Sequence, residues 1–173
     1  LALRELDPAP GLHLYGSDVD AGRVSAACEA GLVAHCLDYM APAQMGGGGQ
    51  FARAAIVMNP PYALAEAFVR RAIERGTNRP VAALLRIAFL ASQGRAEWLA
   101  ADAPDVYVLP RRPDFTGGGG DSADYAWMVW PAGPARTAGT VRGVPLEHCG
   151  DTPAEAAAMK ARKAVLREGT GCV

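Results

Sequence analysis

Apolar positions in this chain fall into short blocks of two kinds. Residues 12–16, 32–37, 51–58, 80–86, 106–109 and 125–130 are compact apolar runs of strand length, and the longer ones lack the polar alternation of a half-solvated sheet. Unbroken runs of this kind belong to strands covered on both faces. Between them, residues 21–30, 63–74 and about 92–101 carry apolar side chains at helical spacing. Gly31 stops the first of these helices. Residues 1–6 read as the end of a helix closed by the Pro/Gly-rich stretch 7–11. Residues 153–167 read as a terminal helix opened by the capping-box pair Thr152 and Glu155. Strand following helix in this order predicts an α/β fold with a doubly wound, largely parallel sheet. Two glycine-rich stretches, 44–50 and 110–121, are expected loops, and no internal repeat is present.

The tetrad Asn59-Pro60-Pro61-Tyr62 stands between the apolar run 51–58 and the helical pattern 63–74. That places it at the carboxyl end of a buried strand, where open α/β sheets bind ligands. Each proline fixes its own φ near about −65° and pushes the residue before it towards extended geometry. The result is a stiff turn that presents the Asn59 side-chain oxygen and a main-chain carbonyl together. Two convergent acceptors suit an amino group that must be held and made more nucleophilic. Tyr62 adds a flat face for a planar group. The alternative is structural, since Asn-Pro starts turns and proline is ordinary in the first turn of a helix.

Two further acidic positions sit at strand ends. Gly16-Ser-Asp-Val-Asp20 closes the run 12–16, and a carboxylate there can accept from both hydroxyls of a ribose. Asp20 is the expected N-cap of helix 21–30, and the plain alternative is that both aspartates only begin that helix. Leu37-Asp38-Tyr39 closes the next strand. Downstream, Arg111 and Arg112 can hold phosphates and Phe115 can contact a planar group, unless the loop 110–121 is simply a solvated linker. Trp127 and Trp130 are expected to pack rather than bind. Arg53 and Arg86 read as no more than charged interruptions of apolar strands.

Composition narrows the classes without choosing among them. At 173 residues, half of them hydrophobic, the chain is long enough for one domain with a real core. No apolar run is long enough for a membrane helix, and no signal-peptide order opens the chain. A net charge of −1 argues against nucleic-acid binding by bulk electrostatics. Arginine nevertheless supplies nearly all of the basic side chains, which suits planar recognition of phosphates and bases. Cys28, Cys36, Cys149 and Cys172 form no C-x-x-C pair and read as reduced thiols, so the expected compartment is the cytoplasm. His35-Cys36 and His148-Cys149 lack metal-site spacing, and no metal is expected.

The run Ile56-Val-Met-Asn-Pro-Pro-Tyr62 resembles the catalytic motif of amino-group methyltransferases that use S-adenosylmethionine, above all the DNA adenine-N6 enzymes. The blocks Val106-Tyr-Val-Leu-Pro-Arg-Arg-Pro-Asp-Phe115 and Asp121-Ser-Ala-Asp-Tyr-Ala-Trp-Met-Val-Trp130 resemble phage and prophage-type members of that group. The resemblance spans about residues 12–131. It implies a Rossmann-like class I methyltransferase sheet, mostly parallel with an antiparallel last strand. It implies catalytic roles for Asn59, Pro60, Pro61 and Tyr62. Cofactor contacts would come from Asp18, Val19, Asp38, Tyr39 and Asn59, with Asp38 accepting from the adenine amine and Val19 and Tyr39 covering its ring. Substrate contacts would come from Tyr62, Arg111, Arg112 and Phe115, around an adenine flipped out of DNA. RNA or a protein glutamine are alternative substrates, and a non-catalytic remnant is the alternative from another class. The family's glycine-rich cofactor loop should precede a helix such as 1–6 and does not, nor does the chain open with Met. The expectation is therefore an N-terminally incomplete methyltransferase domain, residues 1–131, lacking the first strand and glycine-rich loop, with residues 132–173 as linker and helical tail.

Overall fold

The structure, a computed structural model, describes residues 14–41, 54–75, 79–114 and 122–144. Within these the chain runs β1 (Tyr15–Asp18), α1 (Ala21–Glu29), β2 (Val33–Cys36), β3 (Ile56–Met58), α2 (Ala65–Arg75), β4 (Val81–Arg86), α3 (Ala96–Ala101), β5 (Asp105–Val108), β6 (Tyr125–Trp130) and β7 (Val141–Gly143). Single 3-10 turns, Tyr62–Leu64 and Gln93–Arg95, lead into α2 and α3. Residues 63–64 and 93–95 were expected inside the helices that follow. Pro61, with φ −55° and ψ 123°, is the extended residue that leads into the first of these turns.

The strands form two sheets rather than the single one expected. β1 and β2 pair in parallel, with Asp18 opposite Cys36. The second sheet has the order β3-β4-β6-β5-β7. β3 and β4 are parallel, and β6 lies between β4 and β5, antiparallel to both. The antiparallel strand expected by resemblance is therefore present, but it is not the last. β7 follows it and pairs in parallel with β5, so the sheet continues past the boundary expected at 131.

Asp105 explains that continuation. One of its carboxylate oxygens accepts the Thr140 amide and hydroxyl, each at 2.8 Å, and the other pairs with Arg136 at 3.0 Å. Ala103 donates to the Arg136 carbonyl at 2.6 Å, and Val106 to that of Thr140 at 2.7 Å. A Cβ on Gly139 would overlap the Pro104 carbonyl oxygen, so only glycine permits this close approach. The hydrogen bonds hold the Asp105 carboxyl below its ordinary value, the Thr140 amide foremost, then its hydroxyl and Arg136, against an opposing desolvation.

The core lies where α2 covers the second sheet. Ala65, Val69 and Ala72, at helical spacing, meet Val81, Ala83 and Leu85 of β4 and Ala126, Met128 and Trp130 of β6, each set at strand spacing. Full burial of a side chain such as Val69, Leu85 or Met128 stabilises by about 1.5–3 kcal/mol. Trp130 packs as expected, its ring 5.8 Å from that of Trp98 and nearly parallel to it. Trp98 in turn meets Phe89 edge-on at 6.2 Å. The smaller sheet is less covered, and Tyr15, Val19 and Val33 remain exposed. The expected terminal helices, 1–6 and 153–167, lie outside the described residues. No described helix is long and apolar enough to cross a membrane.

Candidate active site

Asn59 begins the turn after β3, one residue beyond Met58, which pairs with Ala83 of β4. β4 runs on to Arg86, opposite Tyr125, the first residue of antiparallel β6. Two strand ends and one strand start thus bring Asn59, Tyr62, Arg86 and Tyr125 to one edge of the sheet. Pro60 is buried, whereas Asn59 and Pro61 are exposed, so the first proline anchors the turn and Asn59 faces outward.

The Tyr62 hydroxyl donates to Asn59 Oδ1 at 3.5 Å. That length marks a weak bond, which orients the amide while leaving its oxygen able to accept a better donor. The Tyr62 ring lies 5.7 Å from the buried ring of Tyr125, tilted by 53°. The Arg86 guanidinium stands 4.8 Å from the Tyr62 centroid, and its Nε donates to the Tyr125 hydroxyl at 3.2 Å. Arg86, read from sequence as a mere strand interruption, is therefore part of this constellation. A charged residue ending an otherwise apolar strand, level with the tetrad, was the available signal. A cavity of about 180 Å³ opens beside these groups, lined by Tyr62, Leu85, Arg86, Phe89 and Arg95 among others.

A larger cavity of about 400 Å³ lies at the opposite end of the same strands, among Arg79, Val81, Asp102 and Trp130. Size does not decide between them. The smaller one adjoins the polar groups at the strands' carboxyl ends, where α/β sheets place their ligands.

Asp18 and Asp38 sit at and just beyond the carboxyl ends of neighbouring strands β1 and β2. Asp18 Oδ1 accepts the Asp20 amide at 2.9 Å, and Oδ2 stands 3.6 Å from Arg23, whose side chain is 76% exposed. Asp20 caps α1 as expected, accepting the Arg23 amide at 2.9 Å. Asp38 Oδ1 accepts the Met40 amide at 2.8 Å. Val19 is 67% exposed, an apolar surface beside Asp18.

Tyr39 is placed differently from the ring-covering role that the resemblance implies. Its ring stacks on Phe68 of α2 at 5.2 Å, with the Arg75 guanidinium 5.8 Å from its centroid, and the buried hydroxyl has no hydrogen-bond partner among the described residues. Burial pushes this phenol above its ordinary value, against the lowering pull of Arg75, Arg79 and Arg71. Tyr39 thus joins the smaller sheet to α2, helped by Arg71, which donates to the Ala41 carbonyl at 2.6 Å. Arg112 pairs with Asp124 at 2.9 Å, joining the described stretches 79–114 and 122–144, while Arg111 is half-buried. Phe115, His148, Cys149 and Cys172 lie outside the described residues. Among the described residues no group of three or more His, Cys, Asp and Glu is placed to hold a metal.

No protein-family model matches the sequence, and neither does any curated protein. Two solved structures share the fold. One, from Agrobacterium tumefaciens and provisionally described as an O-methyltransferase, superimposes with a TM-score of 0.51 at 19% identity, over 80% of this chain and 73% of its own. The other, from Listeria monocytogenes and provisionally described as a class I S-adenosylmethionine-dependent methyltransferase, gives 0.53 at 13% identity. It is matched over 92% of this chain and 57% of its own. The chain has the fold of class I methyltransferases.

Proposed function

We propose that this chain binds S-adenosylmethionine and transfers its methyl group to the N6 amine of an adenine in DNA. The observation that carries the reading is the position of Asn59, an exposed amide oriented by Tyr62 at the carboxyl edge of a methyltransferase-type sheet.

The residues fit the cofactor. Asp18 and Asp38 are acceptors on adjacent strand ends, suited to ribose hydroxyls and an adenine amine. Val19 offers an exposed apolar surface beside Asp18. Arg23, itself largely exposed, is 3.6 Å from Asp18 and is readily displaced from it. S-adenosylmethionine supplies an electrophilic methyl group. On the substrate side, Asn59 Oδ1 and the Pro60 carbonyl accept the two hydrogens of the target amine and so concentrate its lone pair towards the electrophilic methyl group. Positioning and electrostatics of this kind need no strong general base.

Tyr62 provides the stacking surface for an adenine rotated out of the duplex. In this structure the Arg86 guanidinium lies over that ring. An exposed cation–π contact is worth about 0.5–1 kcal/mol, and base stacking on an aromatic ring about 1–3 kcal/mol. Base stacking on the ring therefore outweighs the cation–π contact it replaces.

The test is transfer of a radiolabelled methyl group by wild type and Asn59→Ala to unmethylated DNA, ribosomal RNA and a glutamine-bearing protein. Transfer to DNA by the wild type is expected, with loss of about 10²-fold or more in the variant, comparable to removing one preorganised hydrogen-bonding group. Methylation of RNA or protein instead of DNA would reassign the substrate. A fully active Asn59→Ala variant would end the mechanism.

A further inference from the structure

We infer that Arg71 is a positioning residue for the cofactor, because from the flank of α2 it fixes the turn that presents Asp38. The inference rests on reading Asp38 as the acceptor for the adenine amine of S-adenosylmethionine. Residues 38–41 form a tight turn in which the Ala41 amide donates to the Asp38 carbonyl at 3.1 Å. Inside it, the Asp38 carboxylate accepts the Met40 amide at 2.8 Å. These local bonds set the shape of the turn but not its place relative to the tetrad. That place is set from outside, where Arg71 Nη2 donates to the Ala41 carbonyl at 2.6 Å from 30 residues along the chain.

Phe68, Arg71 and Arg75 share one face of α2 by their helical spacing. Phe68 stacks on Tyr39, and the Arg75 guanidinium stands 5.8 Å from the same ring. Stacked rings tolerate centroid separations of about 4.5–7 Å, so that contact alone leaves the turn a range of positions. The bond from Arg71 ends on a main-chain carbonyl and selects one of them. Because α2 follows the tetrad through a single 3-10 turn, one helix locates both the Asn59–Tyr62 turn and the Asp38 turn. Asp38 is exposed and Arg71 half-buried, so Arg71 acts on the cofactor through the turn rather than by touching it. An amine and a carboxylate oxygen must meet within about 2.7–3.2 Å, and a shift of the turn by about 1 Å breaks their bond.

The experiment is calorimetric titration of wild type, Arg71→Ala and Arg71→Lys with two ligands. One is S-adenosylmethionine, and the other is its analogue with hydrogen in place of the adenine amine. Circular dichroism verifies that both variants fold. Wild type is expected to prefer S-adenosylmethionine about tenfold or more, the worth of one charge-assisted hydrogen bond. Arg71→Ala is expected to weaken S-adenosylmethionine about tenfold while changing the analogue less than about twofold, so that the preference is largely lost. Arg71→Lys, which keeps a charged donor, should recover part of it. An unchanged preference in Arg71→Ala, or an equal loss for both ligands, overturns the positioning role, the second outcome marking a general loosening of the fold. If wild type binds both ligands equally, Asp38 does not read the amine and the inference falls while cofactor binding stands. If wild type binds neither, the proposed function falls with it.

Discussion

Glu66, in the first turn of α2, holds together the aromatic wall behind the candidate site. Its Oε1 accepts Arg70 Nε at 2.9 Å and its Oε2 lies 3.8 Å from Arg95. Those two arginines cover Trp98 and Phe89, each with its Cζ 4.4 Å from a ring centroid. Glu66→Gln keeps the shape and one acceptor but removes the charge that serves both arginines. The i,i+4 pair with Arg70 is worth about 0.3–0.5 kcal/mol, and an ion pair as exposed as that with Arg95 about 0.2–1 kcal/mol. Partial loss of the two ring contacts, each about 0.5–1 kcal/mol when intact, brings the expected cost to about 1–1.5 kcal/mol. For a chain of this length that lowers Tm by roughly 2–6 °C, read by thermal circular dichroism at low salt. The difference should shrink near 1 M salt, where the screening length is about 3 Å. A Tm equal to wild type at low salt, or a loss that salt leaves unchanged, would refute the assignment of a shared ionic clamp.

Three other outcomes test other parts of the structure. Asp105 has a folded pKa below its unfolded value, so its stabilisation is full above about pH 4 and fades as pH falls through the lower folded value. Urea denaturation should accordingly show Asp105→Asn less stable than wild type at neutral pH, with the gap closing at strongly acid pH; a constant gap would contradict it. Gly139→Ala should destabilise the docking of β7, seen as faster amide exchange at Thr140 and Val144, because the added Cβ meets the Pro104 carbonyl. Exchange rates like those of wild type would show that the backbone yields freely there. Asp18→Ala should weaken S-adenosylmethionine binding about 10- to 100-fold in a calorimetric titration, the worth of a lost charge-assisted hydrogen bond. An unchanged Kd would remove Asp18 from the cofactor site.

The local devices of the chain were legible because short-range sterics set them. Asp20 caps α1, and Gly31, at φ 81°, terminates it, through conformational preferences that hold in any fold. β4 and β6 were legible from their unbroken apolar runs, and β6 spans the residues expected. The tetrad announced its turn because two prolines restrict the backbone wherever they occur. Helix starts were less legible, since the 3-10 turns at Tyr62 and Gln93 carry the same apolar spacing as the helices that follow them.

What pairs with what was not written locally. Val141–Gly143 is too short and too exposed to read as a strand, and it became β7 only because Asp105 gathers Thr140 and Arg136 from more than thirty residues away. Tyr39 follows Asp38 in sequence, yet its ring turned towards Phe68 of α2. Arg86 meets Tyr62 because β4 outruns β3 at the same sheet edge, and it meets Tyr125 because an antiparallel strand starts opposite it. Sequence alone determined the strand-ending tetrad Asn59–Tyr62 and the acidic strand ends, through backbone restriction and hydrophobic period. The tertiary structure decided which side chains share an edge with them, because strand register and insertion order depend on contacts between distant segments.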